Sequence, residues 1–262
     1  MQLVAAVKMR AAQRQALASR TYARWSWALL QQLAEQSPTE LHPLLQTRPN
    51  VTAEAVIVIS ANRGLAGSFH AQLLEHAAAY LAARRADGIK AEVVILGKRA
   101  RALATRYGFP VVAEYERLDA YTELTQTLPI TQWAVREFLT GRYDRVSLVY
   151  TEFSSTLKQS PITVTLLPTK LAALRAAAER TVGSLDREPL PAGELALLFE
   201  PSPRQVLDTL LPRFLEMQVY QAALEAAASE HSARMVAMKN ATDAASDLIT
   251  DLTLTYNQLR QA

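Results

Sequence analysis

Along residues 229–262 apolar positions recur three and four apart, at Met238, Ala241, Ala245, Leu248, Leu252 and Leu259, with no Gly or Pro to interrupt them. That spacing predicts a helix with a narrow heptad seam built mostly of small side chains. The helix extends backward through Val219, Tyr220 and Leu224 to Ser202-Pro203-Arg204-Gln205, which reads as an N-cap, a first-turn Pro and a capping-box Gln. At about 1.5 Å per residue the rod would be roughly 90 Å long. Pro212 removes one internal hydrogen bond and predicts a bend near Leu207 and Asp208. A second long helix is predicted from Met1 to Leu33, with Val4, Val7, Ala11, Ala18, Tyr22, Trp25 and Leu29 along one side. Arg10, Arg14, Arg20 and Arg24 gather on an adjoining side, and no acidic residue precedes Glu35.

Between these helices the period changes. Continuous apolar runs at 55–60 (AVIVIS) and 91–96 read as strands buried on both faces, and a short run at 111–113 and the stretches at 145–151 and 162–167 read as further strands. Helical patterns at 69–86, 98–107 and 122–140 separate the first four. Alternating strands and helices predict an α/β unit with a mostly parallel sheet and right-handed crossovers. The short polar link between the last two strands predicts an antiparallel pair at one side. Residues 170–193 read as an exposed loop. The expected division is a discontinuous shaft, 1–47 with 202–262, and an α/β foot, 48–201.

The bulk properties narrow the chemistry. The chain has 262 residues, half hydrophobic, and its formal charge of +3 is too small to argue for nucleic acid. It has no Cys, which excludes disulfides and thiolate ligands. No apolar run is long enough to span a membrane, and the N-terminus lacks a signal-peptide layout. The four His, at 42, 70, 76 and 231, show no metal-binding spacing. The turn Asn62-Arg63-Gly64-Leu65-Ala66-Gly67-Ser68 joins a strand to a helix as phosphate loops do, but it lacks the phosphate-loop Lys. Its glycines have a structural reading, a tight turn with close helix–strand packing. No catalytic residue, metal or cofactor is expected.

Two stretches carry a more specific signal. SARMVAMKNATD followed by DLTLTYNQLRQA, and MQLVAAVKMRAAQ at the start, strongly resemble the C- and N-terminal shaft helices of the gamma subunit of rotary F-type ATP synthases. The resemblance implies an antiparallel coiled coil of the two terminal helices plus one Rossmann-like α/β domain. Its seam would hold Val4, Val7 and Ala11 against Met238, Ala241, Ala245, Leu248 and Leu252. It implies a non-catalytic central stalk that couples rotation of a membrane c-ring to ATP synthesis or hydrolysis in an alpha/beta ring, with the epsilon subunit as a further partner. Arg10, Arg14, Arg20, Arg24, Arg234 and Lys239 would face acidic loops of the catalytic ring, and Phe199, Glu200 and Pro201 would meet the c-ring or epsilon. The protein would be peripheral, on the cytoplasmic side of a bacterial inner or plasma membrane. Compared with the family, the shaft motifs imply shortening at both ends. Two alternatives stand beside this reading: a shortened relative serving as an assembly or binding module, and a nucleotide-binding α/β enzyme dimerised through a coiled coil.

Overall fold

A computed structural model describes residues 1–18, 25–30, 42–116, 123–169, 175, 179, 200 and 202–261. The sheet has five strands: β1 (Ala53–Ile59), β2 (Lys90–Leu96), β3 (Val111–Tyr115), β4 (Arg145–Phe153) and β5 (Gln159–Leu167). Their spatial order is β3-β2-β1-β4-β5. The first four are parallel, and β5 returns antiparallel to β4. The last two strands run longer than their apolar runs, because the ladder continues through polar positions to Phe153 and Gln159. The predicted helix at 98–107 divides into a 3-10 turn, Lys98–Arg101, and one α-helical turn, α3 (Ala102–Thr105).

Period-two alternation sorts the strands onto two faces. Val56 and Val58 of β1 pack with Val93, Ile95 and Val149 beneath α2 (Phe69–Ala86), through Leu73, Ala77 and Leu81. Ala55, Ile57 and Ile59 point the other way, toward α4 (Leu124–Leu139) and the long helix α5 (Pro203–Gln261). The crossover helix on each face follows from the right-handed rule. The chain steps from β1 outward to β2 and β3 with its helices on one face, then returns across the other face to place β4 beside β1.

The helix α5 runs unbroken for 59 residues, through Pro212. Its start is capped as expected: the Gln205 N–H donates to Ser202 Oγ at 3.3 Å. Its lower part is a core element. Leu207, Leu211, Phe214, Leu215, Val219, Ala222, Ala223 and Ala226 are buried at helical spacing against the sheet. The foot's core therefore includes much of the helix that the sequence assigns to the shaft.

At the other terminus α1 (Gln2–Ala18) lies along α5, and residues 25–30 are helical too, with Trp27 and Leu30 in the core. The two helices are antiparallel. Met1 and Val4 share a cavity with Arg234 and Met238, while Gln13 and Leu17 share a groove with Gln221 and Leu224. The expected seam needs correction here. Val4 and Val7 are 55% and 64% exposed, whereas Ala5, Met9 and Ala12 are buried. Ala11 is half-buried beside them. The physical reason is close approach: Ala227 and Ala228 of α5 meet Ala12 of α1, a contact that admits small side chains, with the unbranched Met9 buried on the same face, and leaves the β-branched valines outside.

Candidate functional site

In an open α/β sheet, ligands enter the crevice outside the carboxyl ends of the strands, where the strand order reverses. Here that point lies between β1 and β4. It is filled by α5. On one side of the crevice, Ser229 Oγ donates to the Thr151 carbonyl at 3.3 Å and Ser232 Oγ to the Thr156 carbonyl at 2.9 Å. Thr151 lies opposite Pro161 in the ladder, a residue with no N–H to give. On the other side, Arg234 reaches the loop after β1. Its Nε and Nη2 donate to the Gly64 carbonyl at 3.2 and 3.1 Å, and Nη2 also reaches the Arg63 carbonyl at 3.3 Å. The same guanidinium holds Glu230 Oε1 at 2.8 Å and contacts His231 Nδ1 at 3.1 Å.

These groups are withdrawn from water. Ser229 and Ser232 are fully buried, and the side chains of Arg234 and Glu230 are 12% and 6% exposed. Below them Ala227 and Ala228 close on Ala12 of α1 and Phe153 of β4.

The loops that receive α5 are themselves tied to the sheet. Ser60, just past β1, donates through Oγ to the Gly97 carbonyl at 2.8 Å and accepts the Ala100 N–H at 3.0 Å. Asn62 Oδ1 accepts the Lys98 N–H at 3.0 Å. Gly97 is required at its position. Its φ is +99°, and an added Cβ would stand 2.4 Å from the Ser60 carbonyl oxygen. Gly67, at φ +57°, brings the loop beside Ala237 of α5.

The basic residues expected on the rotor surface divide. Arg10, Arg14 and Lys239 are exposed. Arg234 is not a free surface cation, because backbone carbonyls and Glu230 engage its guanidinium. Arg20 and Arg24 lie outside the described residues, as do Phe199 and Pro201, while Glu200 is exposed. Met238 is half-buried near Met1. Beyond it Ala241, Ala245, Leu248 and Leu252 are exposed, with no facing helix among the described residues.

Ser229 and Ser232 were not singled out by the sequence. Their only signal is two hydroxyls three residues apart, directly after an Ala run, on a helix side that would otherwise read as polar.

Comparison with known proteins decides what this architecture belongs to. The ATP synthase family model covers residues 1–262. The ATP synthase gamma chain of Roseiflexus castenholzii is 42% identical over 264 residues, spanning 100% of this chain and 86% of that protein. The chain belongs to the ATP synthase gamma-chain family. The gamma chain of Thermosynechococcus vestitus is 39% identical over 277 residues, spanning 100% of this chain and 87% of that one.

Solved structures give the same fold at lower identity. The central stalk and c-ring structure of Tetrahymena thermophila mitochondrial ATP synthase matches with a TM-score of 0.65 at 20% identity, covering 92% of this chain and 97% of that chain. The rotor of the Euglena gracilis mitochondrial ATP synthase matches with a TM-score of 0.55 at 16% identity, covering 99% and 97%.

A gamma chain is a non-catalytic, peripheral subunit of a membrane-associated complex. Among the described residues no helix is long and apolar enough to cross a membrane. For a gamma chain the filled crevice also has a plain meaning: the α/β body is a socket for a helix. The reading of a nucleotide-binding enzyme loses its site, since α5 occupies the place where the ligand would sit.

Proposed function

We propose that this gamma chain is the central shaft of a proton-translocating ATP synthase. Its foot turns with a membrane c-ring and its upper helix turns inside a ring of alpha and beta subunits. The observation that carries the reading is the 59-residue helix, rooted in a sheet at its lower end and exposed from Lys239 upward. Rooted below and exposed above, such a helix transmits rotation from one level to another. Its exposed length is available to catalytic subunits that the turning shaft meets in succession.

On this reading Arg10, Arg14 and Lys239 form the cationic side that passes acidic groups of the catalytic ring. Exposed ion pairs of this kind are worth about 0–1 kcal/mol each and exchange easily, which suits a moving contact. Glu200, with its sequence neighbours Phe199 and Pro201, would meet the c-ring or the epsilon subunit. The complex would lie on the cytoplasmic side of a bacterial inner or plasma membrane.

Reconstitution tests this. The chain is combined with alpha and beta subunits, and ATP-driven rotation of a bead fixed to the α/β body is recorded. Continuous unidirectional rotation is expected. A chain that co-purifies with the ring but leaves the bead still would reduce the protein to an assembly module.

A further inference from the structure

We infer that Ser229, Ser232 and Arg234 form a collar that locks the long helix to the α/β body against twisting about its own axis. The inference deepens the rotor reading and rests on it. Descending α5 from Gln261, residues 239–261 are exposed, and among the described residues the collar is the first place where directional bonds join the helix to the body.

The arrangement of those bonds is what resists twist. At about 100° per residue, Ser229 and Ser232 lie roughly 60° apart, and Arg234 lies about 140–160° from both, nearly across the helix. The serines grip the β4–β5 hairpin and the arginine grips the loop after β1. Bonds on opposed sides of a cylinder oppose rotation in either sense. All the acceptors on the body are backbone carbonyls, which move only if the loops move. The Ser60 hydroxyl and the Asn62 carboxamide tie the loop after β1 to the segment after β2. Gln159 Nε2 donates to the same Thr156 carbonyl at 2.8 Å, which stiffens the hairpin.

The packing just below supplies little of this resistance. Between Ala222 and Ala228 the buried side chains are methyl groups apart from Leu224. Methyl contacts are non-directional and project little, so they hold the helix close without fixing its angle. The collar residues therefore act as positioning residues for torque transfer. They touch no nucleotide and no reacting atom.

The test uses the complex with alpha and beta subunits, a bead on the α/β body, and the shaft stalled by a bound nucleotide. The angular variance of the bead then reports torsional compliance. Ser229→Ala with Ser232→Ala should raise that variance by about twofold or more, because two of the anchoring bonds are gone. Unloaded ATP hydrolysis should stay at the wild-type rate.

A second variant controls for folding. The chain has no Cys, so Thr156→Cys with Ser232→Cys gives a single possible disulfide within it. In one assembled sample the reduced form should be compliant and the oxidised form as stiff as wild type. Equal variance in both states, with the cross-link verified, would overturn the collar, as would wild-type variance in the double alanine variant. If the wild-type chain itself fails to rotate, it is the rotor reading that fails.

Discussion

Arg234 offers a sharp test of the placement of α5. A lone basic residue on an exposed shaft would contribute about 0–1 kcal/mol to stability. Here the guanidinium is nearly buried, and it holds a carboxylate that is also nearly buried. Removing one partner from such a pair costs about 3–5 kcal/mol, since the remaining charge stays desolvated. The bonds to the Gly64 and Arg63 carbonyls would be lost in the same step. Arg234→Ala should therefore destabilise the isolated chain by about 3–5 kcal/mol. Urea unfolding followed by circular dichroism measures this, and the midpoint should fall without a change of slope.

Arg234→Lys keeps the charge but cannot fork between Glu230 and two carbonyls, so it should recover only part of the loss. Glu230→Ala with Arg234→Ala should cost less than the sum of the single changes, by at least about 1 kcal/mol. A loss below about 1 kcal/mol for Arg234→Ala, or additive single changes, would show that the guanidinium sits on the surface and that the collar geometry is mistaken.

Three further outcomes are expected. Gly97→Ala should cost roughly 2–4 kcal/mol in thermal or urea unfolding, because φ is +99° and the new Cβ overlaps the Ser60 carbonyl. Asp144 accepts Arg48 Nη1 and Thr52 Oγ1 with the N–H groups of Thr52 and Ala53, all within 3.1 Å. Burial pushes its carboxyl up, but these donors outweigh burial and hold it well below the usual carboxylate range. Asp144→Asn should thus cost about 2–4 kcal/mol above pH 5, and the gap should narrow below about pH 4, where the unfolded wild-type chain takes up a proton that the folded carboxyl still refuses. His42 accepts the Leu44 N–H through Nδ1 and meets Asp208 through Nε2. Burial lowers its pKa, Arg204 adds to this, and Asp208 opposes it. The unfolded chain then binds the proton first as pH falls through about 6.5, so stability should rise with pH across that window. His42→Gln should flatten this dependence between pH 5.5 and 7.5, as followed by the unfolding midpoint; an unchanged slope would exclude His42 as its source.

The α/β body was legible because its signals are local. AVIVIS and VVIL are short runs rich in β-branched residues, which favours buried strands over helix, and Gly97 and Gly141 mark element ends where φ is positive. The shaft was legible as a helix but not in its facing. A hydrophobicity pattern weighs Val above Ala, so it chose Val4 and Val7 over Ala5 and Ala12 for the seam. Close helix packing reverses that weight, because separation is set by the smallest side chains facing each other. Arg234 escaped for a different reason: its acceptors are backbone carbonyls about 170 positions away in the chain, and no local pattern carries such a contact.

The helix α5 does three things in succession, and each needs different residues. From Leu207 to Ala226 it buries Leu, Phe, Val and Ala against the sheet as any core helix does. From Ala227 to Arg234 small and polar side chains let it sink into the crevice at the strand ends, and there the polar groups must find partners because water is excluded. From Lys239 onward it is exposed on every side. A crevice that would serve a ligand in another α/β protein has here become a socket. Its carbonyls, which must be satisfied by something, take the hydroxyls and guanidinium of the protein's own helix. A nucleotide at this point would have to break those bonds and displace α5, so one crevice cannot hold both the shaft and a ligand.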